Sequence, residues 1–166
     1  MVEAIKAMDK NGILIDLSES DRTKFGKEDF ASQSVPQKVF SSVWAGEAEV
    51  NNGGFSQYFL NDSSQTAPFV AEALDLIGAP RTADICRRAI HYGFPAGLPS
   101  TPEAISLAAG DFPDRVLEEL GELDSEFFTY PHDLTNLLFA ICFCASGGVW
   151  GDAAAGVVQR KPATGS

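Results

Sequence analysis

The chain has 166 residues and a formal net charge of -11, from 23 acidic and 12 basic residues, and 45% of it is apolar. That length suits one domain around a single core, and twelve Phe supply bulk to fill it without disulfides or metal. A negative field of this size repels phosphate backbones and anionic bilayers, so direct binding to nucleic acid or membrane is disfavoured.

The N-terminal segment carries charges throughout and lacks the basic start and apolar middle of a signal peptide, which predicts a cytoplasmic protein. Residues 1–34 read as a short helix, then Gly12–Leu17, then a polar stretch rich in Ser, Lys and Asp. Ile13, Ile15 and Leu17 alternate with Leu14 and Asp16, a weak strand signal with no partner strand in view, so an extended packing segment is expected there.

From Pro36 the pattern becomes helical, with Val39, Phe40, Val43 and Trp44 at three- and four-residue spacing and an end near Val50. Asn51, Asn52, Gly53 and Gly54 tolerate left-handed backbone, which predicts a sharp corner before a second helix over 55–60. Ala67 to Ile77 aligns Phe69, Val70, Ala73, Leu74 and Ile77 on one stripe, and a further helix follows from Arg81 to Tyr92. Pro102 opens a short helix, and Pro113 opens another that aligns Val116, Leu120, Leu123 and Phe127. Pro131 begins the last, whose apolar residues cover nearly its whole circumference; that predicts the buried centre of the bundle.

These elements give an all-α fold, a compact multi-helix bundle of about six to eight helices with a less regular N-terminal segment. The divisions are 1–34 packed on the core, 35–150 as the helical domain and 151–166 as a loosely held tail. Leu134 to Ala145 falls far short of the ~20 apolar residues needed to cross a bilayer. Cys86, Cys142 and Cys144 form no CxxC pair and have no His at ligand spacing; they read as inert thiols in a reducing compartment, and neither metal nor cofactor is expected.

The acidic charge concentrates between Asp111 and Asp133, where Asp111, Asp114, Glu118, Glu119, Glu122, Asp124, Glu126 and Asp133 face Arg115 as the lone base. Asp114, Glu118, Glu122 and Glu126 fall at four-residue steps, which stacks like charges in one row on a helix and costs roughly 0.2–0.5 kcal/mol per pair. A row kept single-signed hints at a positive partner, although an ordinary solvated face would also read this way. Four residues of helix rise about 6 Å, against one charge per roughly 1.7 Å of duplex, so one row alone does not reach the charge density of DNA.

The second constellation runs from Glu47 to Asn61, where Glu47, Asn51, Asn52, Gly53, Gly54, Phe55, Gln57 and Tyr58 crowd a helix corner. The plain reading of the Asn and Gly residues is turn geometry and capping; the functional one is a polar pocket of Glu47, Glu49, Asn52, Gln57 and His91. The stretch Asn-Gly-Gly-Phe with its downstream Gln-Tyr-Phe resembles the signature of a largely uncharacterised bacterial family that contains a DNA-mimic protein. The likeness covers roughly residues 36–145 and is strongest from Glu47 to Ala89. It implies an all-helical fold and an acidic protein that binds a transcription factor in place of DNA, while no partner-binding acid carries over residue by residue.

The expected function is therefore an acidic interaction protein, monomer or homodimer, that presents the Asp111–Asp133 carboxylates to a basic protein such as the DNA-binding surface of a transcriptional regulator. A small-ligand module or enzyme on the Glu47–Asn61 corner is one alternative, and an immunity or antitoxin-like inhibitor is another. Catalysis is the weaker expectation. His91 and His132 stand far apart, no nucleophile has its base, and the GxGxxG, GxxxxGK[ST], HExxH and GxSxG motifs are missing.

Overall fold

The structure, a computed structural model, describes residues 9–21 and 29–143, within which seven α-helices and no strand occur. Residues 1–8 of the short helix expected ahead of Gly12, part of the polar stretch, Cys144 and the tail from 151 lie outside the described residues.

The first helix, α1 (Lys10–Ser18), occupies the segment expected to be extended. Asp9 accepts a hydrogen bond from the Gly12 N–H at 2.9 Å, capping the helix start, and Ile13, Leu14 and Leu17 then fall on one helical face. Leu14 is wholly buried, whereas Ile15 is exposed. The helical set Ile13, Leu14 and Leu17 prevails over the alternating set Ile13, Ile15 and Leu17, because the helix satisfies its own backbone and a lone strand does not.

After a 3-10 turn at Phe30–Ser32 comes α2 (Val35–Leu60), followed by a second 3-10 turn at Asp62–Thr66. Then come α3 (Ala67–Leu76), α4 (Pro80–Gly93), α5 (Pro102–Gly110), α6 (Asp114–Phe127) and α7 (Leu134–Phe143). Proline in the first turn starts α2, α3, α4 and α5, where its missing N–H costs nothing. The Ser34 N–H donates to the Gln37 side chain at 2.9 Å and fixes the entry into α2.

The centre of the bundle is α2, not the last helix as its apolar composition suggested. Helix α2 packs against α3, α5, α6 and α7, while α7 lies at one side against α1 and α2. Its apolar sides are shared between those two neighbours, so Leu134, Leu138, Phe139 and Cys142 are buried and Ala140 is exposed. Phe55 and Phe59 on the second half of α2 reach the aromatic core, with ring centroids 5.9 Å from Phe127 and 5.1 Å from Phe94.

Candidate functional site

The glycine corner is a kink inside α2 rather than a loop. Helix continues through Asn52, and Gly54 then adopts φ +78° and ψ -178°, a region nearly reserved for glycine. A Cβ at Gly54 would collide with the Asp124 carboxylate of α6. That carboxylate accepts the Phe55 N–H at 2.8 Å, so it satisfies a backbone donor freed where the helix restarts. Burial pushes the Asp124 carboxyl above its ordinary range, and the Phe55 hydrogen bond works in the opposite direction.

Residues two apart on a helix point about 200° apart, and Glu47 and Glu49 accordingly serve opposite sides of α2. Glu47 lines a narrow internal void of about 10 Å³, room for one water at most, walled by apolar residues of α2, α3, α6 and α7. Its carboxyl is raised by burial, lowered by a hydrogen bond from Tyr130 and raised by the charge of Asp133. Tyr130 has φ +47°, and its hydroxyl also accepts from the Asn51 amide at 2.5 Å. The tyrosine thereby ties the turn between α6 and α7 to α2. Glu49 instead accepts from the Gln57 and Asn61 side-chain amides, both at 2.9 Å, and braces the two halves of the helix from outside.

The polar pocket weighed as the alternative to turn geometry at this corner is not formed by these residues. Gln57 belongs with Glu49, Asn52 is exposed, and His91 lies exposed on α4 beside Tyr92. Phe55 and Tyr58 are core residues; the buried Tyr58 hydroxyl donates to Thr66 at 2.7 Å, and Thr66 donates on to the Ser63 carbonyl.

The eight acids of the second constellation separate by what they touch. Asp124 holds the kink, and Asp133 caps α7 by accepting the Asn136 N–H at 3.0 Å. Glu126 pairs with Arg88 at 2.6 Å and Glu119 approaches Arg115 at 3.5 Å. Asp111, Asp114, Glu118 and Glu122 are exposed and make no ion pair with a described residue. At 100° per residue, Asp114, Glu118 and Glu122 occupy one strip of α6, opposite the face that buries Leu120, Leu123 and Phe127. The strip extends about 12 Å along the helix axis.

The structural duties of Asp124 and the pairing of Glu126 depend on neighbours 69 and 38 residues away, which no local pattern announces. Asp133 did carry a local signal, an acid directly before an apolar helical run. Sequence reasoning missed Tyr130, and it named Glu49 for a pocket where the structure uses it as a brace across the kink.

A protein-family model described as DMP19-like protein matches residues 31–143, which is most of the chain. No curated protein and no solved structure matches. The expected membership of a DNA-mimic protein family is corrected by this finding: the matching family is named otherwise, and its description states no DNA mimicry.

Proposed function

The chain belongs to the DMP19-like protein family, and we propose that it acts as an acidic interaction protein, with the outer strip of α6 engaging a basic protein. The observation that carries this reading is the exposed, unneutralised row of Asp114, Glu118 and Glu122, with Asp111 just ahead of it. Two like-charged pairs within that row cost roughly 0.4–1 kcal/mol together, a penalty that cations from a partner relieve. Arg88 lies within reach of α6, where it pairs with Glu126 and shares its charge with Asp84 of α4. The remaining field faces solvent, where it steers a positive surface into encounter.

In its finer form the basic surface is the DNA-binding face of a transcriptional regulator. Three carboxylates in about 12 Å remain sparser than duplex phosphates, so the fit is to a cluster of Lys and Arg side chains and not to the whole footprint of DNA.

The test compares two variants of equal net charge. E118Q/E122Q removes charge from the strip, and E72Q/E103Q removes the same charge from exposed positions on α3 and α5. Binding of an oligolysine peptide at low salt is expected to weaken about tenfold in the first and under threefold in the second, the contrast shrinking as salt shortens the Debye length to ~8 Å. Equal losses would reduce the effect to net charge and defeat the reading. For the finer form, a DNA-binding regulator held by the protein should be released by duplex and retained by E72Q/E103Q.

A further inference from the structure

On the side of α2 away from α6 lies an open groove of about 520 Å³, lined among others by Trp44, Ala45, Ala48, Glu49, Leu60 and Asp62. Among the described residues its two charged side chains are both carboxylates, and no described cation lines it. Trp44 stacks on Phe40 with ring centroids 5.8 Å apart, so one indole face is occupied inside the protein and its ring is held in place. Glu49 is held too, because one of its oxygens accepts both the Gln57 and the Asn61 amides. The other oxygen makes no hydrogen bond with a described residue. Leu60 is about half exposed at the groove's edge, and Ala45 and Ala48 add apolar surface.

An aromatic ring, short apolar walls and two carboxylates with no counter-charge among the described residues match one kind of occupant: a long apolar stem ending in a planar cation. We propose that this groove receives an arginine side chain of a partner protein. The guanidinium lies against Trp44 and bonds Glu49 and Asp62, while its methylenes cover Leu60 and the alanines. An ammonium offers no flat face to the indole and fits less well. The groove is separate from the acidic strip of α6 and does not depend on the reading given for that strip.

The chain has two tryptophans, so in a W150F background the indole N–H signal of Trp44 in a two-dimensional NMR spectrum reports on the groove alone. A short acetylated arginine peptide titrated at low salt is expected to shift that signal saturably. Its citrulline counterpart, equal in shape and uncharged, should bind at least tenfold more weakly, and the lysine peptide several-fold more weakly. E49Q keeps an oxygen that accepts from Gln57 and Asn61, so it removes the charge and leaves the brace; it and D62N should each weaken arginine binding threefold or more. E72Q/E103Q, which removes two charges from exposed positions outside the groove, should change it less than threefold. Equal shifts by arginine and citrulline, full affinity in both E49Q and D62N, or a loss in E72Q/E103Q as large as in E49Q would overturn the proposal. Binding of free methylguanidinium as tightly as the peptide would overturn the partner side chain as the occupant.

Discussion

Replacing Gly54 with alanine should be among the most damaging single changes in the protein. Its backbone, φ +78° and ψ -178°, costs a residue with a Cβ about 1–3 kcal/mol. The added methyl would also displace the Asp124 carboxylate and break its bond to the Phe55 N–H, a charged hydrogen bond of roughly 1.5–3 kcal/mol. Together these give a loss of about 2.5–6 kcal/mol, a large share of the ~5–15 kcal/mol that holds a domain folded. In a chain of this size that lowers Tm by roughly 5–24 °C. Urea titration of G54A, D124A and the double variant separates the contributions. With the carboxylate gone the collision disappears, so G54A should cost only the backbone strain in the D124A background, a coupling of about 1 kcal/mol or more. A G54A protein within ~0.5 kcal/mol of wild type, or an equal cost in both backgrounds, would refute this account of the kink.

Glu47 gives a pH prediction of defined sign. Its folded carboxyl titrates above the ordinary value of 4.5, so the folded state holds the proton more tightly than the unfolded chain does, and stability falls as pH rises through that window. E47Q should therefore match or exceed wild type at pH 7, with a flatter dependence above pH 4.5; urea midpoints across the range decide it, and destabilisation at pH 7 would count against it. Leu14→Ala should cost about 2–5 kcal/mol and raise amide exchange in α1 and α7 first, because the side chain is wholly buried where those helices meet. Burial pushes the Cys86 and Cys142 thiols up to about 12, so in a C144S background a thiol reagent near neutral pH should label neither until denaturant is added. Rapid labelling of the native protein would contradict their burial.

The helix starts were largely legible because proline and the spacing of apolar residues act locally: Pro36 and Pro102 sit in first turns as the sequence places them, whereas Pro80 opens a helix expected from Arg81 and Pro131 stands ahead of the one it was expected to begin. The corner was legible as a break, since Gly53-Gly54 interrupts any helix; its partner was not, because Asp124 lies 69 residues on and resembles the acids around it. Composition misplaced α7, as an apolar circumference records contact on many sides without naming the neighbours. The acidic run was visible in full, yet only packing distinguishes Asp124 and Asp133, which hold backbone, from Glu118 and Glu122, which face water.

Because one bent rod runs through the middle of the bundle, the protein has no seam along which it can come apart. The first half of α2 supplies Val39, Phe40 and Val43 to the core and the second half supplies Phe55, Tyr58 and Phe59. A cut anywhere between 35 and 60 therefore removes support from every neighbouring helix at once, and thermal melting should be a single cooperative event. The largely exposed connection over 95–101 is where the chain should tolerate opening, so relocating the termini there should leave the core intact, whereas the same operation at the kink should abolish folding.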